Sequence, residues 1–146
     1  MDKGVYCLLF RNRPGEIRVG SLGSVPFAGG WHCYVGSALG SGGLARAERH
    51  VRLSRERDRS PRWHVDYLLL DPRFTLSAIV SAPTSRGVEC DLARLISECP
   101  VPGFGCSDCR CRSHLFWRPE NPTEEVTAAF RALGLACRYQ NYQERE

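Results

Sequence analysis

Trp31-His32-Cys33-Tyr34-Val35-Gly36-Ser37-Ala38-Leu39-Gly40-Ser41-Gly42-Gly43-Leu44-Ala45-Arg46-Ala47-Glu48-Arg49-His50 is the stretch on which the fold of this chain turns. Trp31 to Ser37 is aromatic and β-branched enough for a strand. Gly40, Gly42 and Gly43 follow, in a loop whose backbone can take conformations closed to other residues. From Gly43 to about Ser54 the pattern becomes helical, because Leu44, Ala47 and Val51 recur on one face. Arg46 and His50 share another face of that helix, with Arg49 beside them. Strand, loop and helix thus present Tyr34, loop N–H groups, two arginines and a histidine together. Such a set suits a phosphate: a helix start attracts anions, and a guanidinium grips phosphate oxygens with a planar fork. Two other readings exist. The helix could carry only a solvated basic face. Alternatively, Gly40-x-Gly42-x-x-Ala45 fits a dinucleotide-binding loop, which needs an acidic residue at the end of the next strand. Asp66 has the offset for that, but Trp63 to Tyr67 reads as helix.

The chain has 146 residues, a length that suggests a single domain with an adequate core. Formal net charge is +4, and of 20 basic residues all but Lys3 are arginines. Arg46, Arg49, Arg52, Arg55, Arg57, Arg59 and Arg62 form one run, opposed by Glu48, Glu56 and Asp58. A local basic surface of this kind attracts a nucleic-acid backbone whatever its sequence. A solvated helix end is the plainer account of the same run. Met1-Asp2-Lys3 leads straight into a strand-like run, so no signal peptide is expected. No apolar run approaches a membrane span. A cytoplasmic, reducing compartment and no membrane association are the expectations.

Taken in order, Gly4 to Phe10 reads as a buried strand and Asn12-Arg13-Pro14-Gly15 as a turn. Ile17 and Val19 alternate, which predicts a second strand from Glu16 to Leu22, hairpinned to the first. Gly23 to Gly30 reads as a loop. Ser60-Pro61 looks like the start of a short helix over Trp63 to Leu70, with serine as N-cap, ended by Asp71-Pro72. A strand is the alternative there, since Val65, Tyr67 and Leu69 alternate. Phe74 to Ala82 reads as a strand, and Val88 to Cys99 as a helix with Leu92, Leu95 and Ile96 at helical spacing. Pro100 to Ser113 is a loop, His114 to Arg118 a short strand, and Asn121-Pro122 opens a last helix that stops at Gly134. Residues 138–146 are polar and read as a frayed tail. The fold class is α+β: a small, mostly antiparallel sheet flanked by helices, with a Cys/His-containing C-terminal extension. One domain spans 1–146, with a core over 4–99 and the extension over 100–137.

Gly4-Val5-Tyr6 on the first strand, Tyr34-Val35-Gly36 on the later one and Arg46-x-x-Arg49-His50 on the helix together resemble the GIY-YIG nuclease superfamily. Val5 and Val35 stand where the family has isoleucine, and both keep a β-branched strand residue. The insertion from Arg13 to Gly30, with the Cys- and His-containing segment, is similar to the small stand-alone subgroup called Uri-type. The resemblance covers about residues 4–99 and implies a metal-dependent DNA endonuclease that hydrolyses phosphodiester bonds. It implies Tyr6, Tyr34, Arg46, His50 and Glu89 as catalytic residues, with Glu89 holding Mg²⁺ or Mn²⁺. Such an ion prefers oxygen ligands. Tyr6 is the first candidate to help deprotonate the attacking water, Tyr34 its partner, Arg46 the phosphate clamp, and His50 a phosphate ligand or proton relay. Glu98 ranks second for the metal. Gly36, Ser37, Arg49, Arg52 and Arg55 are the implied DNA contacts, and DNA the implied partner. An asparagine that the family places after the glutamate helix has no counterpart before Asn121, which looks like a helix cap. Asp108 and Ser107 are the substitutes that the sequence offers.

Plainer fates sit beside these. Strand tyrosines more often pack with a satisfied hydroxyl, and Glu89 in a first helical turn complements the helix dipole. Asp66 could reach Arg46 or Arg49 as a structural ion pair. Cys7 and Cys33 read as core residues.

Cys106-Ser107-Asp108-Cys109-Arg110-Cys111-Arg112-Ser113-His114 is the second informative stretch. Cys106, Cys109, Cys111 and His114 can furnish a tetrahedral, structural Zn²⁺ site, with Cys90 and Cys99 as neighbours in space. Free, partly buried thiols on a glycine-anchored loop are the alternative. Three function classes follow: the endonuclease, a non-catalytic nucleic-acid-binding module on the same scaffold, and a zinc-supported interaction domain.

Overall fold

The computed structural model describes residues 2–106 and 111–142. The Cys109 ligand expected above, and the Ser107 and Asp108 substitutes, lie outside the described residues. Among the described residues, seven strands and four α-helices run in the order β1 (Gly4–Asn12), β2 (Gly15–Arg18), β3 (Ser24–Phe27), β4 (Gly30–Ala38), α1 (Ala45–Glu56), α2 (His64–Leu70), β5 (Phe74–Pro83), α3 (Glu89–Leu95), β6 (Leu115–Arg118), α4 (Thr123–Ala132) and β7 (Arg138–Asn141). The fold is α+β. A five-stranded antiparallel sheet has the order β6-β4-β1-β5-β7, and β2 and β3 form a separate ribbon.

β1 is the central strand and is apolar on both faces, as a strand covered from both sides must be. Val5, Cys7 and Leu9 point into a core shared with Val88 just ahead of α3, Leu92 of α3, and Val126 and Phe130 of α4. Tyr6, Leu8 and Phe10 point the other way, into a core shared with Ala47 and Val51 of α1 and Val65, Leu68 and Leu69 of α2. Cys7 and Cys33 are core residues on the α3/α4 face, as the sequence suggests.

Several elements differ from their sequence reading. The second strand does not hairpin onto the first. Both edges of β1 are taken by β4 and β5, so β2 pairs instead with β3, inside the segment read as a loop. Pro26 is tolerated because a two-stranded ribbon has open outer edges where an N–H is not required. Gly20–Leu22, expected to extend that strand, is a 3₁₀ turn. α2 begins at His64 rather than at Ser60-Pro61, because Asp66 supplies the cap. Its carboxylate accepts the N–H groups of Arg62 (2.8 Å) and Trp63 (3.1 Å). Asp66 is therefore a helix-start acceptor, and no ion pair joins it to Arg46 or Arg49 among the described residues. α3 ends at Leu95, short of Cys99. There the Arg118 guanidinium donates to the carbonyls of Ile96 and Glu98 and chelates the Glu125 carboxylate. The segment 138–141, read as tail, is a strand on the open edge of β5. All its side chains are exposed, so only its main-chain bonds reveal it.

Candidate active site

The loop between β4 and α1 is shaped by glycine. Gly42 and Gly43 have φ of 87° and 55°, a region that other residues avoid, and the turn they make delivers α1 across the sheet. α1 then lays Arg46 and His50 over the ends of β1 and β4. In the antiparallel register Tyr6 sits opposite Gly36. A side-chain carbon at Gly36 would come within 2.4 Å of the Tyr6 ring, so the glycine is the space that ring occupies. Gly36 is thus a packing residue buried under Tyr6, which corrects its expected place as a DNA contact.

One cleft of about 330 Å³ is lined by Tyr6, Tyr34, Ser37, Arg46, His50, Arg62, Trp63, His64, Glu89 and Gly105, among others. All five residues named as catalytic from the sequence line it. α3 packs on the opposite face of the sheet from α1, yet its first residue, Glu89, reaches the cleft. This is achieved at the edge of β4, which β6 covers only from Trp31 to Tyr34. Glu98 instead lines a separate cavity of about 620 Å³ with Cys90, Cys99 and Cys111, so it has no place beside Arg46.

The Tyr6 hydroxyl and His50 Nε2 are 2.9 Å apart, and both residues are buried. Burial, then the neighbouring Tyr34, push the Tyr6 phenol well above the usual tyrosine range; Arg46 pulls against them and Glu89 adds to them. His50 is lowered to about 4 by burial first and then by Arg46 and Arg49, which holds it neutral at ordinary pH. Phenolate formation at Tyr6 and protonation of His50 are both thereby disfavoured, so at neutral pH the pair is a neutral phenol against a neutral imidazole. Arg46 Nη1 donates to the Ser37 carbonyl at 3.3 Å, and its guanidinium lies 5.2 Å from the centre of the Trp63 ring. Arg62 lies 5.7 Å from the same ring. Trp63 is 43% exposed and holds two cations at the mouth of the cleft. Sequence reading missed it, because an aromatic at a helix start looks like core. His64 Nδ1 accepts the Gly105 N–H at 2.9 Å, which closes one wall.

The expected DNA contacts divide. Ser37 lines the cleft, and its carbonyl orients Arg46. Arg49 and Arg52 line an adjoining groove with Arg59 and Arg62, which shares Arg46, His50 and Trp63 with the cleft. Arg55 turns elsewhere: its guanidinium lies over the ring of Tyr142, beyond β7. Asn121 is the cap it resembles, since its carboxamide oxygen accepts from the N–H and hydroxyl of Thr123 at the start of α4.

A second donor cluster adjoins the cleft. Ligand atoms of Cys90, Cys111 and His114 lie within 4.8 Å of one another and could hold a metal ion. Cys111 and His114 were expected in such a site, but Cys90 joins from α3, where Cys106 was expected. The Cys106 thiol is within reach of the Phe104 carbonyl, at 3.5 Å. His114 faces both centres. Its Nε2 is 3.9 Å from Cys90 Sγ, and its Nδ1 is 3.1 Å from a Glu89 carboxylate oxygen.

A family model described as domain of unknown function DUF123 matches residues 5–135. No curated protein and no solved structure matches the chain. No described helix is long and apolar enough to cross a membrane.

Proposed function

Because the chain belongs to the family described as domain of unknown function DUF123, whose description states no activity, we propose a function from the cleft itself: metal-dependent hydrolysis of phosphodiester bonds in DNA, by a site of the GIY-YIG type. The observation that carries this reading is that Tyr6, Tyr34, Arg46, His50 and Glu89, distant in the chain, line one cleft.

The chemistry follows from the side chains. Arg46, steadied by the Ser37 carbonyl and the Trp63 ring, grips a non-bridging phosphate oxygen and stabilises charge that builds there. The arginines of the adjoining groove hold the flanking phosphates. Glu89 offers a carboxylate at a polar cleft, which fits Mg²⁺ or Mn²⁺, ions that take oxygen donors and keep several waters. When bound, such an ion supplies charge neutralisation at the scissile phosphate and the leaving oxygen. The attacking water needs a proton acceptor. Tyr6 takes that proton on its oxygen while passing its own to neutral His50, so no free phenolate has to form. Tyr34 lines the same wall and is part of the environment that keeps Tyr6 protonated. The Cys90, Cys111 and His114 donors are two thiols and an imidazole, the set that zinc prefers, and we assign that ion to them.

Nicking of supercoiled plasmid tests the reading. The protein should nick with Mg²⁺ and not with chelator, and Arg46→Ala and Glu89→Ala should each lose about 10²–10³-fold in rate. One observation favours a binding module instead, namely the burial of both partners of the Tyr6–His50 pair, which limits water access. Steeply salt-dependent DNA binding with no nicking would support that module.

A further inference from the structure

We infer that a metal ion held by Cys90, Cys111 and His114 positions Glu89, so that the thiolate centre and the cleft are linked through one imidazole. The inference rests on the reading of Glu89 as the magnesium ligand.

Glu89 and Cys90 are consecutive in the first turn of α3, a helix of seven residues without a side-chain cap at its start. Cys111 and His114 come from the segment leading into β6, so an ion shared with Cys90 ties that segment to α3. The donor spacing suits it. Zinc bond lengths in a tetrahedron put an imidazole nitrogen and a thiolate about 3.6 Å apart, and His114 Nε2 and Cys90 Sγ are 3.9 Å apart.

A histidine that gives Nε2 to a metal is neutral and carries its proton on Nδ1. That nitrogen is the one 3.1 Å from Glu89. Carboxylate, imidazole and ion then form a chain in which the ion polarises the ring and strengthens the Nδ1–H donor. The ring cannot easily turn away. His114 is 1% exposed, its N–H donates to the Phe104 carbonyl, and its carbonyl accepts from the N–H of Val35 in β4. His114 Nδ1 thus lies beside one Glu89 oxygen, while the same residue lines the cleft. Linkage is reciprocal: if the ion steadies Glu89, then Glu89 strengthens the ion's binding.

The test is metal titration of the full chain, stripped of metal and kept reduced. Co²⁺ serves as the spectroscopic probe and Zn²⁺ as its competitor. The parent should bind a single ion with thiolate-to-metal charge-transfer and tetrahedral ligand-field bands. Cys111→Ser should lose most of the charge-transfer intensity. Glu89→Gln should weaken zinc about 10–100-fold, the usual effect of losing such a partner. Glu124→Gln, an exposed position on α4, should bind as the parent does. In cleavage assays, zinc removal should raise the Mg²⁺ concentration needed for half-maximal rate, with DNA affinity unchanged, and zinc return should restore it. Absence of thiolate bands in the parent, or parent-like zinc affinity in Glu89→Gln, overturns the inference. A protein that binds zinc in this linked way but never cuts DNA overturns only the nuclease reading, because the titration does not depend on turnover.

Discussion

The Tyr6 hydroxyl and the His50 imidazole meet at 2.9 Å although 44 residues separate them in the chain. Burial raises the phenol and lowers the imidazole, so at neutral pH a protonated donor faces a neutral acceptor. Tyr6→Phe removes the proton path but keeps the ring. We predict a loss of about 10²-fold or more in nicking, the low end of a general-base contribution, with DNA affinity unchanged. It should also cost about 1–3 kcal/mol of stability, since His50 loses a buried partner. Single-turnover nicking and denaturant melts measure the two effects. Parent-like cleavage by Tyr6→Phe would remove Tyr6 from the mechanism.

Gly36 tests the same geometry from across the strand pair. A methyl group there would sit 2.4 Å from the Tyr6 ring. Gly36→Ala must push that ring off His50 or spread β1 from β4. Overpacking of this kind costs about 1–3 kcal/mol, and nicking should fall along with stability. Ser37→Ala keeps the carbonyl that receives Arg46 and should cut at close to the parent rate. If Gly36→Ala proved as active and as stable as the parent, the packing account of this glycine would fail.

Acid should destabilise the protein through two histidines. His32 and His50 are each lowered from 6.5 to about 4, by burial in both cases and at His50 also by Arg46 and Arg49. His32 Nδ1 is 2.8 Å from the Asn12 carboxamide oxygen, and His50 faces Tyr6. Between those two values the unfolded chain holds protons that the folded chain excludes. Stability is therefore full above about pH 6.5 and falls as pH drops toward about 4, by up to about 3 kcal/mol for each histidine. Urea midpoints at pH 7 and pH 4.5 should differ in that direction, and His32→Asn should flatten part of the slope. For the same reason the rate of nicking should show no inflection near 6.5 from His50. Urea midpoints that did not change between the two pH values would contradict the assignment.

How much of this could be read beforehand depended on where the signal lay. β1 and β4 carry it in their side chains, through an apolar run and an aromatic, β-branched one, whereas the pairing of Tyr6 with Gly36 emerges only from the strand register. The helical spacing of Arg46 and His50 likewise puts both on one face of α1, and both line the cleft. β3 and β7 leave no such trace. In β3 only Phe27 is buried and Pro26 interrupts the strand pattern, and in β7 every residue is exposed, so main-chain pairing is what defines both. Cys90 is expected from the sequence only as a neighbour of that site, because nothing in the spacing from Cys90 to Cys111 announces that α3 turns its first residues toward His114 as a donor. Trp63 was missed for a related reason: its role comes from two arginines, one on α1 and one just ahead of α2.

The most direct measurement is single-turnover cleavage of an end-labelled duplex in Mg²⁺ by the parent and by Glu89→Gln, with DNA binding measured in the same samples. The account predicts equal binding and a rate about 10²-fold or more slower for the variant. Equal rates, or a parent that binds and never cuts at any Mg²⁺ concentration, would contradict it.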